Sequence, residues 1–515
     1  MTAPAPYEEP SRPAGFDYII VGGGTAGCVL AARLTEDPGA RILLLEAGTS
    51  ARIESMTVPD QWPGLLGTPL DWGGVTTGQA DAGPVAYPRG RVLGGSGAIN
   101  AMAHVRGHRC VYDGWAAGGA AGWGSADLLP FFRRSEHTAG RDPAVRGTGG
   151  PVRVAPVPED GRHPVAVAFA AALGEAGHPV TDDLSGLQQE GVAWADLAIA
   201  DGQRVSPADA YVRPVLHRPN LVIQDRCLVT GLQIRHGRCT GVVYVRDRVP
   251  ARAYVSGEVI VCAGAVGTPQ LLMLSGIGPA RELRRLGINL VAGIPEVGAN
   301  LQDHPVVLTC FASPPQPRSA YNHGEVYAAL RSPLAGPAPD LHLFPILLPA
   351  APAGHQPPAA GYALVAAVAA PDSRGTVRLA TGDPRAAPLI DPGFLTSGRD
   401  TARLEAGLAI IGQAARSTAL SQVHAGQVWP GSDVRTSSEM RRYIRSAVGS
   451  YYHPAGTCRM GGDPGAVTDL ELRVRGITGL RVADASVLPV IPNAPLNATV
   501  LAIAEKAADL IRGRH

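Results

Sequence analysis

The fold is indicated first by Phe16-Asp-Tyr-Ile-Ile-Val-Gly-Gly-Gly-Thr-Ala-Gly27, followed closely by Arg41-Ile-Leu-Leu-Leu-Glu46. Residues 16–21 and 41–46 are short apolar runs, typical of strands that are buried on both faces. Residues 26–34 lie between them and are predicted to form a helix. Strand, glycine turn, helix and strand together predict a compact βαβ unit at the start of the first domain.

The glycines of the turn, Gly22, Gly24 and Gly27, have the spacing of a dinucleotide-binding loop. They permit a tight turn, and the N-terminus of the following helix offers N–H groups and a positive dipole to a pyrophosphate. Glu46 ends the second strand, where it is placed to accept hydrogen bonds from a ribose hydroxyl and disfavours a 2′-phosphate. The motif therefore predicts a dinucleotide site, without deciding between FAD and NAD.

Two more βα signals follow, at residues 255–278 and at the end of the chain, where strand 480–484 precedes helix 498–511. Residues 49–90 are predicted to be extended covering loops, and residues 220–230 a single strand. We predict a discontinuous dinucleotide-binding domain (16–130, 221–310 and 441–515). A substrate-binding domain (131–220 and 311–440) is inserted into it, and residues 1–15 form a disordered tail.

Composition excludes several classes of protein. The 515 residues carry 45 Lys and Arg against 44 Asp and Glu, so no overall basic field is available for nucleic acid. No apolar run reaches the length of about 18 residues that a membrane span needs. Lys506 is the single lysine, which excludes a P-loop. Seven dispersed cysteines without a Cys-x-x-Cys pair predict neither a disulfide scaffold nor a zinc site, and we expect a cytoplasmic protein.

Five further motifs resemble one enzyme family. Gly90-Arg-Val-Leu-Gly-Gly-Ser-Gly-Ala-Ile-Asn100 is similar to the first signature of the glucose-methanol-choline (GMC) oxidoreductases, and residues 264–278 are similar to the second. Residues 297–304, 452–460 and 482–486 are also family-like, so the resemblance spans about 16 to 511. It implies an α/β fold: a discontinuous Rossmann-like FAD-binding domain with an inserted α+β substrate domain built on an antiparallel sheet.

The resemblance also implies which residues bind FAD. Gly94 and Gly95 let backbone amides approach the cofactor, Asn100 contacts the flavin, and Val229 contacts adenine through its backbone. Asp484 is expected near the ribityl or pyrophosphate group. The predicted set is Gly22, Gly24, Thr25, Ala26, Gly27, Glu46, Ala47, Arg91, Gly94, Gly95, Asn100, Ala101, Met102, Ala103, Val229, Ala263, Gly264, Asp484, Ala485, Asn497, Ala498 and Thr499.

His453 and Asn497 are the predicted catalytic residues. Removing a hydride from an alcohol carbon requires the hydroxyl proton to leave as well, and an imidazole suits that proton transfer. The resemblance implies that His453 faces flavin N5 across the substrate and that Asn497 hydrogen-bonds the substrate oxygen. His104 and His304 are expected to be structural or to support the site from outside.

Departures from the family pattern make separate predictions. Ile99 stands where some members carry a histidine bonded to the flavin, so FAD is expected to bind non-covalently. Gly97 replaces a usual Ser and His104 a usual Tyr, which predicts altered contacts near the flavin. Phe344 stands where relatives often carry a histidine, and His342 is expected on the same strand face.

The predicted activity is FAD-dependent oxidation of a primary or secondary alcohol to the carbonyl, with O₂ or another acceptor reoxidising the flavin. A reduced covering segment and Phe344 favour a bulky or apolar alcohol over choline, whereas Glu325 offers a carboxylate to a cationic one. A lyase without net redox, a light-driven decarboxylase and a non-catalytic flavin protein remain alternatives. The substrate, the acceptor and the oligomeric state stay open.

Overall fold

A computed structural model describes residues 15–513. The predicted tail lies outside the described residues except for Gly15. The strands are β1 (Phe16–Val21), β2 (Ile42–Leu45), β3 (Gly74–Gln79), β4 (Gly83–Tyr87), β5 (Glu136–Thr138), β6 (Val152–Val154), β7 (Gly191–Trp194), β8 (Ile199–Ala200), β9 (Gln203–Arg204), β10 (Leu221–Gln224), β11 (Cys227–Arg235), β12 (Arg238–Arg246), β13 (Val249–Val261), β14 (Ile277–Gly278), β15 (Ala292–Gly293), β16 (Pro305–Ala312), β17 (Val326–Leu330), β18 (Leu341–Ile346), β19 (Gly361–Val368), β20 (Thr376–Arg378), β21 (Leu389–Asp391), β22 (Gly426–Trp429), β23 (Gly449–Ser450) and β24 (Leu480–Val482).

The α-helices are α1 (Thr25–Leu34), α2 (Glu54–Thr57), α3 (Arg109–Ala117), α4 (Ser125–Ser135), α5 (Pro164–Glu175), α6 (Gly264–Leu274), α7 (Ala280–Arg285), α8 (Gly398–Ala415), α9 (Thr418–Ser421), α10 (Ser437–Ala447) and α11 (Leu496–Ile511). No helix within residues 15–513 combines the length and the apolar character that crossing a bilayer requires.

The first sheet has a parallel centre in the order β10-β2-β1-β13-β24. Ile20 pairs with Leu44 on one side and with Ile260 on the other, and all three are fully buried. Helices α1 and α11 pack against each other and belong to the same core as these strands. Burial on both faces explains why β1 and β2 are uninterrupted apolar runs. The first half of β13 turns away into an antiparallel meander with β12 and β11.

The second sheet is antiparallel in the order β22-β16-β19-β18-β17-β7, and β23 pairs with β16. Its side chains alternate between two cores, as the two-residue period of a strand requires. Leu341 and Leu343 of β18 pack towards the core that contains α5 and α8, whereas Phe344 packs with Tyr327 and Val365 on the opposite face. This second face points to the functional site.

Both predicted layers are therefore present, the α/β layer and the antiparallel sheet. The first sheet draws its strands from residues 16–45, 221–261 and 480–482, and the second from residues 191–194 and 305–450. Strand β16 belongs to the second sheet and runs across the predicted boundary at residue 310. The exact division into domains stays a prediction.

Two local predictions are wrong. Residues 49–90 are not only covering loops, because they contain helix α2 and the β3–β4 hairpin. The single strand predicted at 220–230 is two strands, β10 and β11. The chain breaks between them at Arg226, whose φ of 55° is incompatible with an extended strand. Tertiary pairing to β2 on one side and to β12 on the other accounts for the break.

Candidate active site

A cavity of about 1600 Å³ lies between the two sheets. Its lining joins the carboxyl ends of β1, β2 and β24 to inward-facing side chains of β16–β19. We call the part formed by the first sheet and its loops the cofactor half. The part formed by the second sheet together with Tyr451, His453 and Asn497 is called the substrate half. Ligands of open α/β sheets bind beyond the carboxyl ends of the strands, which is where the cofactor half lies.

The N-terminus of α1 opens into the cofactor half. Gly22, Gly24, Thr25 and Ala26 line the cavity, and the first helical bond is donated by Cys28 N–H to the Gly24 carbonyl. No acidic residue occupies the first turn and no side chain caps it. A Cβ placed on Gly24 would have its nearest neighbour 3.9 Å away, so this face of the turn is open. These features fit the pyrophosphate of FAD.

Glu46 lines the same half and is held by backbone donors. One carboxylate oxygen accepts from Gly23 N–H at 2.8 Å and the other from Gly48 N–H at 2.7 Å. Burial raises the pKa of Glu46 to about 7, although these backbone donors act in the opposite direction. Each carboxylate oxygen has a second lone pair, so the orientation leaves capacity for the predicted ribose hydroxyl.

Asp484 connects the end of β24 to the start of α6. It accepts hydrogen bonds from Gly264 N–H at 2.8 Å, from the Thr268 hydroxyl at 2.6 Å and from Ser486 N–H at 2.8 Å. Burial raises its pKa. These hydrogen bonds use the carboxylate of Asp484 to fix the βα turn. Asp484 and Val229 both border the cavity.

Asn100 also has a fixed side chain. Its Oδ1 accepts from Met102 N–H at 3.0 Å and from the buried Arg204 guanidinium at 2.9 Å. The amide N–H₂ is therefore the part left to donate into the cavity. The other predicted cofactor residues that border the cavity are Ala47, Arg91, Gly95, Ala101, Met102, Ala103, Ala263, Gly264 and Ala485.

Four predicted cofactor residues lie behind the lining: Gly27, Gly94, Ala498 and Thr499. A Cβ on Gly27 would lie 1.9 Å from the Gly22 carbonyl oxygen, so this glycine allows α1 to pack against the turn. The Thr499 hydroxyl bonds the Tyr112 hydroxyl at 2.8 Å instead of facing the cavity. These positions shape the wall from outside it.

His453 borders the substrate half and has one ring nitrogen engaged. Its Nδ1 lies 2.9 Å from Nδ1 of His304, so Nε2 is the nitrogen that remains for a ligand. Asp303 accepts from the backbone N–H of His453 at 2.9 Å and of His304 at 2.7 Å, which holds the two residues together. Burial lowers the pKa of His453 to about 3, with His342 as a further cause, so the ring is neutral.

Asn497 reaches the same space from the start of α11. Its Oδ1 accepts from the Thr25 hydroxyl at 2.9 Å, and the residue lines the cavity. The side-chain N–H₂ is then available to donate to a ligand oxygen. The structure therefore brings His453 and Asn497, which are 44 positions apart, to one cavity beside α1.

An aromatic stack forms the wall of the substrate half. The rings of Tyr327 and Phe344 lie 5.2 Å apart and nearly parallel, and the rings of Phe344 and Tyr451 lie 4.8 Å apart. Tyr451 in turn contacts the ring of His453 at 4.3 Å. The sequence did not single out Tyr327 or Tyr451. The apolar side chains that complete this wall are Val306, Leu308, Ile346 and Val365.

The carboxylates that line the cavity are Glu46, Asp247 and Asp484, and all three belong to the first sheet or its turns. Glu325 does not border the cavity. It is fully buried and accepts from His163 N–H at 3.0 Å and from the Ser319 hydroxyl at 2.7 Å. The expectation that Glu325 could face a cationic substrate is therefore wrong, because internal donors hold its carboxylate.

His342 and Phe344 do share a strand face, since both contact the ring of Tyr327. Only Phe344 borders the cavity.

His104 is buried away from the cavity, with Nε2 at 3.1 Å from Glu136. At Gly97, a Cβ would lie 2.8 Å from the Thr25 hydroxyl oxygen, which leaves little room for the usual serine. His304 was expected to be structural or supporting, and the motif Asn-Leu-Gln-Asp-His304 was the available signal for its place beside His453.

Comparisons with known proteins agree with this geometry. Two family models described as GMC oxidoreductase match residues 16–306 and 371–504. Human mitochondrial choline dehydrogenase is 37% identical over 537 aligned positions, which cover 97% of this chain and 90% of that protein. The structure of pyridoxine 4-oxidase from Mesorbium loti is 34% identical, with a TM-score of 0.93 and coverage of 97% of this chain and 100% of that one.

A fungal aryl-alcohol oxidase structure is 25% identical, with a TM-score of 0.83 and coverage of 97% of this chain and 99% of that one. Family models over more than half of the chain, a relative above 30% identity and a shared fold with a fitting dinucleotide site lead to the same conclusion. The chain belongs to the GMC oxidoreductase family, FAD-dependent enzymes that act on alcohols.

Proposed function

We propose that this enzyme oxidises a neutral, bulky alcohol, with an aromatic or heteroaromatic primary alcohol as the preferred substrate. The observation that carries the proposal is the stack of Tyr327, Phe344 and Tyr451 beside His453. A flat ring that extends this stack would gain about 0.5–1.5 kcal/mol per aromatic contact beyond its burial. It would also bring a hydroxymethyl group towards His453 and Asn497. The similarity to pyridoxine 4-oxidase and to an aryl-alcohol oxidase supports the same substrate class.

FAD, held at the N-terminus of α1 and beside Glu46, would supply the hydride acceptor for the alcohol carbon. The chain supplies the proton acceptor and the orientation. In this proposal Nε2 of His453 accepts the hydroxyl proton, and the N–H₂ of Asn497 donates to the same oxygen. The Thr25 hydroxyl and the His304 ring hold these two side chains, and Asp303 holds the backbone of both histidines. A general base in such a position contributes about 10²–10⁴ in rate.

Selectivity against a cationic alcohol follows from the charges. The cavity-lining carboxylates belong to the cofactor half, whereas Glu325 is turned away. A quaternary ammonium group would find aromatic faces here but no carboxylate partner among the described lining residues of the substrate half. We therefore propose that choline is a poorer substrate than an aromatic alcohol of similar size, although choline dehydrogenases are among the relatives.

Two further properties remain proposals. Ile99 is buried at the cavity wall and offers no atom for a bond to the flavin, which supports non-covalent FAD. Denaturing the enzyme and separating the polypeptide should leave the yellow chromophore in the supernatant, and colour on the pellet would contradict this.

The seven cysteines are free, which supports the proposed cytoplasmic location, where thiols stay reduced.

The decisive experiment is anaerobic mixing of the purified holoenzyme with a panel of alcohols while the visible flavin band is recorded. We expect benzyl-type and pyridylmethanol-type alcohols to bleach the band faster than choline or short aliphatic alcohols. Faster bleaching by choline would overturn the substrate class. If no alcohol bleaches the band, alcohol oxidation itself is wrong. Repeating the productive reaction in air and measuring hydrogen peroxide then distinguishes O₂ from another acceptor.

The lyase and decarboxylase alternatives gain no support from the relatives named above, whose names are all those of oxidoreductases. A lyase would release cyanide from cyanohydrins while the flavin stayed oxidised. The same anaerobic cell therefore separates the two classes of reaction, because only hydride transfer bleaches the flavin.

A further inference from the structure

His304 lies behind His453 and does not belong to the cavity lining. Its ring is fully buried and both of its nitrogens have a partner. Nε2 lies 3.1 Å from the carbonyl oxygen of Pro492, and Nδ1 lies 2.9 Å from Nδ1 of His453. The three groups form a chain that runs from a backbone carbonyl to the residue beside the substrate.

A carbonyl oxygen can only accept a hydrogen bond, so Nε2 of His304 must carry a proton. In a neutral imidazole the other nitrogen then has a lone pair, and Nδ1 of His304 becomes an acceptor. The opposite tautomer would turn the Nε2 lone pair towards the carbonyl oxygen, which leaves two acceptors facing each other in a buried setting without a hydrogen bond.

The tautomer of His304 determines the tautomer of His453. Since Nδ1 of His304 accepts, Nδ1 of His453 must donate, and a neutral His453 then has its lone pair on Nε2. We infer that His304, anchored by the Pro492 carbonyl, is a positioning residue that fixes His453 in the tautomer whose bare Nε2 faces the cavity. This inference rests on the proposed function, because it explains how His453 is ready to accept the alcohol proton.

Neutral rings are what the surroundings favour. Burial lowers the pKa of His304 well below its usual value, with the neighbouring His453 and His342 as further causes. The groups around the pair are His342, whose ring centroid lies 6.4 Å from that of His304, Tyr451 at 6.1 Å, and Asp303, whose Oδ1 accepts from the two backbone N–H groups. The second oxygen of Asp303 accepts from the Ser450 hydroxyl, so this carboxylate does not compete for either ring.

Two substitutions separate the function of each nitrogen of His304. Asparagine ends where Nδ1 stood, so His304→Asn can still offer an oxygen to Nδ1–H of His453. Glutamine reaches the position of Nε2, so His304→Gln keeps a donor for the Pro492 carbonyl and removes the acceptor for His453. When a catalytic histidine is held in the wrong tautomer, the rate of the catalysed reaction can fall by up to about 10⁴-fold.

We expect His304→Asn to reduce the flavin within about fivefold of the wild-type rate and His304→Gln to be slowed by about 10²-fold or more. His217→Gln, on an exposed turn, is the control for changing a histidine elsewhere. Equal rates for the Asn and Gln variants would overturn the inference, provided that both bind FAD. A purely structural role predicts that equality, because both amides would disturb the packing.

A second readout needs no turnover and no variant of His304. In wild-type holoenzyme with ¹⁵N-labelled histidine, long-range ¹H–¹⁵N correlations distinguish the protonated ring nitrogen from the bare one, and His453→Gln identifies the His453 signals. A bare Nε2 supports the inference and a protonated Nε2 overturns it. If none of the alcohols reduces the flavin of the wild-type enzyme, the proposed function fails. The spectrum still decides which tautomer His453 adopts.

Discussion

The two halves of the cavity differ in which groups form their surface: mainly backbone in the cofactor half and mainly side chains in the substrate half. In the cofactor half, backbone N–H groups, glycines and short turns at strand ends form the surface, and Glu46 and Asp484 are themselves held by backbone donors. In the substrate half, large side chains from the antiparallel sheet form the surface, with His453 and the stack of Tyr327, Phe344 and Tyr451.

Because of this difference, the cofactor half is visible as sequence motifs and the substrate half is not. A site formed by backbone N–H groups needs several consecutive residues, so it produces a recognisable sequence motif. A side-chain wall takes one residue from each strand, since alternate residues face opposite ways, and it leaves no motif. The two halves should therefore fail in different ways: the cofactor half by losing FAD, and the substrate half by losing rate or selectivity while FAD stays bound.

The largest effect is expected from Gly27→Ala. The added Cβ would lie 1.9 Å from the Gly22 carbonyl oxygen, so α1 must move away from the turn and open the cradle. We expect purified protein with little or no FAD, measured as the ratio of flavin to protein absorbance. Gly114→Ala, where a Cβ meets nothing within 4 Å, is the matched control. Full FAD occupancy in Gly27→Ala would show that the close packing is dispensable.

His453→Gln should slow flavin reduction by a productive alcohol about 10²–10⁴-fold, because the proton acceptor is lost. FAD content should stay at the wild-type level, since His453 lies in the substrate half. Stopped-flow absorbance under anaerobic conditions gives the rate. A loss smaller than fivefold would mean that another group accepts the proton.

Acid should act in opposite directions on two buried groups, His342 of the second sheet and Glu46 of the first. Burial lowers the pKa of His342 to about 4, below its unfolded value, so its contribution to stability is present above about pH 6.5 and is lost as pH falls towards 4. The loss amounts to about 3 kcal/mol. Burial raises the pKa of Glu46 to about 7, so its protonation favours the folded state in the same acid.

Urea unfolding at pH 7, 5.5 and 4 isolates the histidine contribution. His342→Gln removes the titrating group and should lessen the fall in unfolding free energy between pH 7 and 4. His217→Gln, an exposed position, should leave that fall unchanged. An identical pH dependence in all three proteins would contradict the buried neutral state of His342.

Phe344→Leu keeps an apolar side chain and removes the centre of the stack. We expect kcat/KM for an aromatic alcohol to fall about tenfold, the equivalent of about 1.4 kcal/mol, and that for a short aliphatic alcohol to change less than threefold. Phe311→Leu is the control, because Phe311 stacks on Tyr362 at 5.2 Å in the other core. Equal losses for both alcohols would mean that Phe344 only supports the fold.

The smallest effect is expected at Gly97. Restoring the usual serine places a Cβ 2.6 Å from Pro207 and 2.8 Å from the Thr25 hydroxyl oxygen, so Thr25 must shift from Asn497. We expect flavin reduction to slow about threefold to tenfold with FAD still bound. A rate equal to that of Gly114→Ser would show that the Thr25 contact does not orient Asn497.

Much of the cofactor half could be predicted from the sequence. Gly22, Gly24 and Glu46 were placed by local spacing, and they meet at the cavity because a βαβ unit has few ways to fold. The prediction for Glu325 failed because its carboxylate is bound by His163 and Ser319, one of which is distant in sequence. The break at Arg226 was missed because two different neighbours pair with the strands on either side of it.

The family, the cofactor and the two proposed catalytic residues, His453 and Asn497, could be predicted from the sequence alone, because each lies in a contiguous motif whose chemistry is local. The surroundings of these residues depend on tertiary packing and could not be predicted in this way. Tyr327, Phe344 and Tyr451 come from separate segments, and they stack because β17 and β18 pair in one register and the loop before His453 folds over them. The His304–His453 contact was likewise decided by packing, since the sequence separation of 149 residues contains no information about which nitrogen faces which.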